Sequence, residues 1–427
     1  QKPLLRARVL KLMAMIRERH LQKRDVAPTS EAFLREAFAA VAESVAVNFA
    51  PMQKPRAAAI LHDQVVWVTT PVRIDFAGGW SDTPPICSEM GGQVLNAAIT
   101  LNGQYPIQVM AKLNNAGTIR LSSIDLGQRQ EIATTEDVLN HHDPHDWAAL
   151  AKAALVLTGI VPAHPEKSLK AWLRKLGGGL DLTIFSALPK GSGLGTSSIL
   201  GAAVMACLDR VLGIPYQADR IIRMTSILEQ RMNTGGGWQD QVGGILPGVK
   251  LISTQPGSDQ AIALRWAVFD MTPGSILHQR CLLYFTGQKR MARNILHNVV
   301  GNYLAREPQT YQIVRRLKQG AVRTKEALDA QDVQGFAAGV AEYWELKKAI
   351  DAGSTNPSIE AVLKSIREDV DATLLPGAGG GGFIFIIDKD AAAAQRIRET
   401  LTAHPLNAQS RFFDFAVDQQ GLKVTVL

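Results

Sequence analysis

The sequence has 427 residues, of which 46% are apolar and 20% are charged, a balance typical of soluble globular proteins. The formal net charge is +7, but no basic stretch is interleaved with aromatic residues, which argues against a nucleic-acid partner. No run approaches the roughly 18 apolar residues of a membrane span, so we expect no membrane partner. Three widely spaced cysteines without a C-x-x-C pair argue against a disulfide framework and a structural zinc site, and indicate the cytoplasm.

Residues 1–62 differ from the rest of the chain because helix-forming residues dominate them. The spacing of apolar and basic residues over 4–19 predicts a basic amphipathic helix, and the composition of 31–47 predicts a second helix. We interpret this segment as a helical extension packed on the main domain. A linker to an upstream domain is the alternative.

The remainder of the chain mixes strand and helix patterns. Strands are predicted at 64–70, 105–111, 118–123, 180–186, 281–285 and 383–387. Helices are predicted at 146–157, 197–212, 217–232, 290–306, 308–330 and 391–401. This order predicts an α+β fold with a first domain over 63–270 and a second over 271–427.

A glycine-rich loop at residues 188–198 joins a predicted strand to a predicted helix. Its three glycines allow positive φ angles and a close approach to a ligand, and the helix directs free N–H groups at the loop. The loop therefore predicts an anion site, with hydroxyls from Thr196, Ser197 and Ser198 available to phosphate or Mg²⁺. It is not a Walker A loop, since no Gly-Lys-Ser/Thr ends it, and Thr196 replaces the last glycine of the dinucleotide fingerprint.

A second cluster at residues 71–84 gathers an arginine, two aspartates, a glycine pair and a tryptophan. Carboxylates hydrogen-bond sugar hydroxyls and an aromatic face packs on a sugar ring, so this cluster suits a carbohydrate. A tight loop in which Asp82 caps the following turn is the alternative.

Two further carboxylates, Glu229 and Asp240, flank a glycine turn at 233–239. A half-buried carboxylate needs a partner, which a metal ion or an arginine supplies. A plain salt bridge for Glu229 and a turn cap for Asp240 stay open as alternatives. A third glycine cluster at 375–382 precedes a predicted buried strand, where four consecutive glycines are costly unless something comes close.

Taken in this order, the three segments resemble the GHMP kinase family, which includes galactokinase and the homoserine, mevalonate and phosphomevalonate kinases. All three motifs of that family occur between Pro71 and Phe383. The resemblance implies a ribosomal-S5-like N-terminal domain and a ferredoxin-like C-terminal domain, with the site in the cleft between them.

The resemblance also implies roles for individual residues, with ATP and Mg²⁺ as cofactors. Asp240 is the implied catalytic base or orienting carboxylate, Arg73 steadies the transferred phosphoryl group, and Ser197 and Glu229 bind the metal. The residues implied to bind ATP are Pro189, Lys190, Gly191, Ser192, Gly193, Leu194, Gly195, Thr196, Ser197, Ser198, Gly379 and Gly380. Those implied to bind the substrate are Trp80, Asp82, Gly236, Gly237 and Trp238.

Within the family, residues 73–85, 101–104 and 234–241 are most similar to L-fucokinases, including those that also carry a guanylyltransferase. This similarity implies phosphorylation of L-fucose at its anomeric hydroxyl, with a guanylyltransferase, fused or separate, as a partner. Galactokinases carry a Glu-His pair where this chain has Gly79-Trp80, which argues against galactose. A heptose-phosphate kinase, which shares the Ala-Gly-Gly loop, and a sensor without turnover are the alternatives.

Overall fold

The computed structural model describes residues 2–20, 29–46, 56–143, 145–164, 166–189, 191–232, 235–257, 260–269, 271, 273–288 and 292–427. The helices are α1 (Lys2–His20), α2 (Ser30–Ala46), α3 (Ile86–Met90), α4 (Thr135–Leu139), α5 (Ala149–Leu157), α6 (Leu169–Leu176), α7 (Thr196–Val211), α8 (Ala218–Arg231), α9 (Gln239–Ile245), α10 (Ile276–Gln279), α11 (Ala292–Leu304), α12 (Pro308–Asp329), α13 (Val333–Ile350), α14 (Pro357–Ser365) and α15 (Ala391–Ala403). Within these ranges, every helix is too short or too polar to span a lipid bilayer.

The strands form three sheets. They are β1 (Val66–Thr70), β2 (Val72–Ala77), β3 (Gln93–Leu101), β4 (Ile107–Asn114), β5 (Ile119–Ser123), β6 (Gln128–Ile132), β7 (Gly179–Ser186), β8 (Val249–Ser253), β9 (Ala263–Trp266), β10 (Cys281–Phe285), β11 (Val370–Leu374), β12 (Phe383–Asp388), β13 (Arg411–Phe413), β14 (Phe415–Val417) and β15 (Lys423–Val426). The first sheet has the order β15-β1-β4-β7-β5-β6, and the second has β14-β3-β8-β9 with β2 paired to β3. The third sheet has the order β11-β12-β10-β13.

Helix α7 is the central helix of the first half of the molecule. It packs on β1 and β4 of the first sheet and against α5, α8 and α9. Residues 201–209 are buried without interruption, because sheet and helices cover this helix on every side. The glycine loop that precedes α7 is therefore held against a rigid support.

Strand β2 carries charged residues in a fully buried position. All six residues from Val72 to Ala77 are buried, although Arg73 and Asp75 are among them. Helices α9, α12 and α13 contact this strand, so it lies at the junction of the two halves of the chain. Buried charges persist only where partners satisfy them, which makes β2 the natural starting point for the site.

The α+β fold predicted from the sequence is confirmed, and the predicted strand at 281–285 coincides with β10. The elements not predicted are the helices α3, α4, α6, α9, α10, α13 and α14 and the strands β2, β3, β6, β8, β9, β11 and β13–β15. The last two strands cross the proposed domain division, because β14 pairs with β3 and β15 pairs with β1. The division at residue 270 stays a prediction, and these pairings show that the final strands complete sheets of the first half.

Candidate active site

A cavity of about 230 Å³ opens where the glycine loop, β2, the end of α8, the start of α9 and the turn after β11 meet. Its lining is Arg73, Trp80, Asp82, Thr83, Gly191, Ser192, Gly193, Gly195, Thr196, Ser197, Ser198, Glu229, Gly236, Gly237, Gln239, Asp240, Leu296, Gly377 and Ala378. Residues from all three motifs singled out in the sequence therefore face one space.

Not every residue proposed from the sequence lines this cavity. Those that do not are Pro189, Leu194, Trp238, Gly379 and Gly380, and Lys190 lies outside the described residues. Trp238 instead lines a neighbouring cavity of about 280 Å³, which shares Gly236 and Gly237 with the first. From the third motif the cavity receives Gly377 and Ala378. The glycines predicted from this cluster were Gly379 and Gly380 instead.

The glycine loop has the conformation its composition predicts. Gly191, Gly193 and Gly195 have φ angles of 79°, 87° and 74°, in the region that residues with a Cβ rarely adopt. Helix α7 begins at Thr196, so its free N–H groups and positive dipole end face the cavity. Within the loop, the Ser192 and Thr196 hydroxyls lie 2.9 Å apart. The loop is thus a preformed anion site.

Arg73 is the hub of the polar contacts in the site. Its Nε donates to Asp240 Oδ1 at 2.9 Å, and its Nη1 donates to Asp75 Oδ1 at 2.9 Å and to the Gly193 carbonyl at 2.8 Å. Its two carboxylate partners keep the pKa of the guanidinium above its usual value although burial opposes them. Arg73 therefore fixes the direction of Asp240, and its contact with a phosphoryl group stays a prediction.

Asp240 is the more exposed of the two charged residues of this group that line the cavity. It lies in the first turn of α9, and 26% of its side chain is exposed, against 2% for Arg73. The Ser198 hydroxyl lies 3.4 Å from Asp240 Oδ2 on the cavity side. Arg73 thus orients Asp240, and part of the Asp240 side chain stays accessible from the cavity, as contact with a ligand requires.

Glu229 is buried at the end of α8 and accepts a hydrogen bond from the Ser198 hydroxyl. Burial, and next the charge of Asp240, raise the pKa of Glu229 to about 8. Two carboxylates are thus brought together on one wall of the cavity, an arrangement that a cation stabilises.

The donor set suits Mg²⁺, which prefers hard oxygen ligands and retains several waters. Oxygens of Ser197, Glu229 and Asp240 line the same cavity. Among the described residues, no group of three His, Cys, Asp or Glu side chains could hold a metal alone. The remaining ligands would therefore come from water and from phosphate, as they do where Mg²⁺ binds together with a nucleotide.

Asp82 and Trp80 line the same cavity as the glycine loop. Asp82 Oδ2 accepts from the Gln239 backbone N–H at 3.2 Å, whereas no described residue donates to its Oδ1. Burial, and next the charge of Asp240, raise the pKa of Asp82 to about 7. Trp80 has φ 76°, a left-handed conformation that costs a residue with a Cβ roughly 1–2 kcal/mol. This pair can offer a sugar both an acceptor and an aromatic face.

Gly237 is required by the close approach of its turn to Asp82. A Cβ atom on Gly237 would lie 1.9 Å from Asp82 Oδ2, which no side chain could tolerate without movement. The glycine turn therefore lets the start of α9 close over the carboxylate. This contact explains why glycine, rather than another turn residue, stands between Glu229 and Asp240.

Two protein-family models match separate segments of the chain. Residues 163–248 match the model of the GHMP kinases N terminal domain, and residues 324–406 match that of the GHMP kinases C terminal. A crystal structure of a D-glycero-D-manno-heptose 1-phosphate kinase from Bacteroides thetaiotaomicron superposes with a TM-score of 0.62. It covers 84% of this chain and 98% of that chain at 21% identity, which establishes the shared fold.

Two curated relatives extend this similarity along the sequence. An L-fucokinase/L-fucose-1-P guanylyltransferase from Bacteroides fragilis is 36% identical over 99% of this chain, and the chain spans 43% of that relative's length. A D-glycero-alpha-D-manno-heptose 7-phosphate kinase from Campylobacter jejuni is 27% identical over 83% of this chain and 97% of its own length. This chain therefore contains the N-terminal and C-terminal domains of the GHMP kinases.

Proposed function

We propose that this chain transfers the γ-phosphoryl group of ATP to the anomeric hydroxyl of L-fucose, giving L-fucose 1-phosphate and ADP. The observation that carries the proposal is a single cavity that is lined by the glycine loop and by Asp82, Trp80 and Asp240. The sugar is inferred from the 36% identity to the L-fucokinase of Bacteroides fragilis along nearly the whole chain.

In this proposal the nucleotide binds along the glycine loop. The N–H groups at the start of α7 and the hydroxyls of Ser192, Thr196 and Ser198 meet phosphate oxygens. Pro189 and Lys190 at the start of the loop, Leu194 within it, and Gly379 and Gly380 across the cleft complete the proposed ATP site. Ser197 and Glu229 would hold Mg²⁺, which supplies positive charge against the phosphates.

The sugar lies between Asp82 and Asp240. Asp82 Oδ1 accepts a hydrogen bond from a sugar hydroxyl, Trp80 packs on the ring, and the turn of Gly236, Gly237 and Trp238 closes the pocket. Asp240 accepts the proton of the anomeric hydroxyl or orients that hydroxyl. The anomeric oxygen forms a bond to the γ-phosphorus of ATP, and the bond between that phosphorus and the β-phosphate oxygen breaks to release ADP. Phosphoryl transfer of this kind depends on position and charge neutralisation, which these groups supply.

The identity of the sugar rests on Trp80 in addition to the relative. The galactokinase Glu-His pair is replaced by Gly79-Trp80. Trp80 brings an indole to the cavity wall where that pair would bring a charge. An apolar wall suits the methyl group of a 6-deoxy sugar better than a hydroxymethyl group, because a buried hydroxyl without a partner is costly.

The deciding experiment presents the purified protein with ATP, Mg²⁺ and one acceptor at a time: L-fucose, D-galactose, or D-glycero-D-manno-heptose 7-phosphate. Release of ADP is measured, and the phosphorylated position is determined by NMR. We expect L-fucose to have the highest kcat/KM and a 1-phosphate product. Turnover of the heptose phosphate alone would favour the second relative's activity, and binding of L-fucose without ADP release would favour a sensor.

The proposed partner and location follow from the same relatives. The product would serve a guanylyltransferase, fused or separate, because the relative named for both activities extends well beyond the part this chain matches. We propose a cytoplasmic location because Cys87, Cys207 and Cys281 are buried and free, and ATP is available there.

A further inference from the structure

A tyrosine from the second half of the chain reaches the charged strand β2. Tyr343 lies on α13, and its hydroxyl donates to Asp75 Oδ2 at 2.6 Å. Tyr343 is 2% exposed and Asp75 is fully buried, so no solvent competes for this bond. The two residues are 268 positions apart in sequence, and their contact joins the two halves of the molecule behind the cavity.

Asp75 passes this contact on to the residues that face the cavity. Its Oδ1 accepts from Arg73 Nη1 at 2.9 Å and from the Gly377 backbone N–H at 2.7 Å. Arg73 in turn holds Asp240 through Nε at 2.9 Å. A continuous chain of hydrogen bonds therefore runs from Tyr343 through Asp75 and Arg73 to Asp240.

The surrounding backbone is shaped to admit the tyrosine hydroxyl. A Cβ atom on Gly79 would lie 2.2 Å from Tyr343 Oη and 3.2 Å from Asp75 Oδ2, so only glycine leaves room for this bond. One turn along α13, the ammonium of Lys347 donates to the carbonyls of Leu375 and Gly377. Helix α13 thus fixes both Asp75 and the glycine turn that Asp75 contacts.

The tyrosine acts as a donor over the working pH range. Burial, and next the charge of Asp75, hold the pKa of Tyr343 well above its ordinary value of 10, so the hydroxyl keeps its proton. A hydrogen bond from a neutral donor to a buried carboxylate is among the stronger ones in proteins.

We infer that Tyr343 is a positioning residue for phosphoryl transfer, which holds Asp75 so that Arg73 aims Asp240 at the sugar hydroxyl. This inference rests on the proposed function, because it assigns Asp240 a part in the reaction. Tyr343 does not line the cavity. Its effect therefore belongs to the rate of the bound complex and not to the affinity for sugar or ATP.

The first test is Tyr343→Phe, which removes one oxygen and keeps the ring. We expect kcat to fall about 10- to 100-fold, as for a lost hydrogen bond to a charged group, while KM for sugar and ATP stays within about twofold. The matched control is Tyr303→Phe, since the Tyr303 hydroxyl donates to Glu89 Oε2 at 2.8 Å and Tyr303 is equally buried but outside the cavity. It should leave kcat unchanged.

The second test separates positioning from stability. Asp75→Asn keeps the size of the side chain and weakens the same link from its other end, so kcat should fall with little change in KM. If Tyr343 acts through Asp75, the double variant is no slower than the slower single variant, whereas a general loss of stability would make the two effects multiply. If Tyr343→Phe fails to fold, Asp75→Asn alone tests the positioning role, because that role requires a lower kcat in this variant.

The outcomes distinguish this inference from the function on which it rests. Unchanged kcat in Tyr343→Phe or Asp75→Asn, or multiplied effects in the double variant, would overturn the positioning role while wild-type turnover remains. If the wild-type protein turns over no sugar at all, the proposed function fails and this inference fails with it.

Discussion

At the residue scale, the two aspartates that face the cavity differ in the partners they already have. Asp240 accepts a hydrogen bond from Arg73, whereas Asp82 Oδ1 receives no hydrogen bond from any described residue. A carboxylate that is already oriented suits a reacting hydroxyl, and one with an open lone pair suits a hydroxyl that is only bound. The two carboxylates thus have different expected kinetic signatures.

Asp240→Asn tests the first of these roles. We expect turnover to fall by roughly 10²–10⁴-fold, the range for loss of a positioned acid–base group, while the dissociation constant of the sugar changes little. ADP release and calorimetric titration of the sugar measure the two effects. Asp209→Asn is a suitable control, because Asp209 is likewise paired with an arginine, Arg220, but is buried and does not line the cavity. Near-normal turnover in Asp240→Asn would remove Asp240 from the mechanism.

If Asp82 binds the sugar as proposed, we expect sugar binding to depend on pH. Because its pKa is raised to about 7 from 3.8, a falling pH protonates it well before a free aspartate would be protonated. A protonated carboxyl is a poorer acceptor, so KM for the sugar should rise as the pH drops from 8 to 6. Asp82→Asn should show a KM about tenfold or more above wild type at pH 8, with this pH dependence lost. A wild-type KM that stays flat across that range would contradict the assignment.

The sequence predicted these carboxylates but not what holds them. Asp82, Glu229 and Asp240 stand beside glycine turns, and that local pattern is visible in the chain. Their partners are remote: Arg73 and Asp240 are 167 positions apart, and Tyr343 is 268 positions from Asp75. Tertiary pairing over such distances leaves no local signal, so Tyr343 was missed, and Asp75 was noted only as one of the two aspartates of residues 71–84.

At the scale of single elements, the conformation of the turn before α9 requires glycine at position 237, because there is no room for a side chain there. Gly237→Ala would place a methyl group on Asp82 Oδ2 and force the turn or the carboxylate to move. We expect KM for the sugar to rise roughly tenfold or more, since misplacement of about 1 Å at such a site is costly. Gly320→Ala in α12, where a Cβ would meet nothing within 4 Å, should leave KM unchanged. Equal KM values in the two variants would refute the close fit at Gly237.

Helix α1 shows where sequence periodicity misled. The basic amphipathic pattern predicted for residues 4–19 is wrong in its faces, because the buried positions include Ala7 and Ala14 while Leu5 and Leu12 are exposed. Small residues let α1 pack closely on α2, and their low apolarity hides the packed face from a hydrophobic pattern. Helix formation itself was predicted correctly for both α1 and α2.

At the scale of the whole molecule, a buried lysine links stability to pH. Lys250 on β8 is fully buried and donates to the carbonyls of Gly243 and Gly248, which lie near the end of α9. Burial lowers its pKa from 10.5 to about 7. Between these values the unfolded chain binds a proton that the folded chain does not bind. Unfolding free energy should therefore rise with pH, by up to about 1.4 kcal/mol per unit.

Lys250→Met should remove this rise. Urea unfolding at pH 7, 8 and 9 measures the slope, which should be smaller in the variant than in the wild type. Lys364→Met, an exposed lysine on α14, should keep the wild-type slope. Identical slopes in all three proteins would show that Lys250 keeps its charge on folding.

The α+β class and the strand, glycine loop and helix order were visible in the sequence, because both depend on local patterns of apolar residues and glycine. The sheet orders were not visible, since pairing depends on contacts between distant segments. The second sheet illustrates the difficulty. Its pairs β2–β3 and β8–β9 join strands that follow one another in the chain, whereas its pairs β3–β8 and β14–β3 join distant segments.

The pairing of β1 with β15 has a consequence for the protein during its synthesis. Strand β1 can pair with β4 on one side at an early stage, but its other edge stays open until Lys423–Val426 have left the ribosome. An exposed edge strand is prone to pair with other chains. We therefore expect the open edge of β1 to need shielding until β15 has been synthesised. We expect translation to yield an active kinase in one late step, when β15 closes the first sheet.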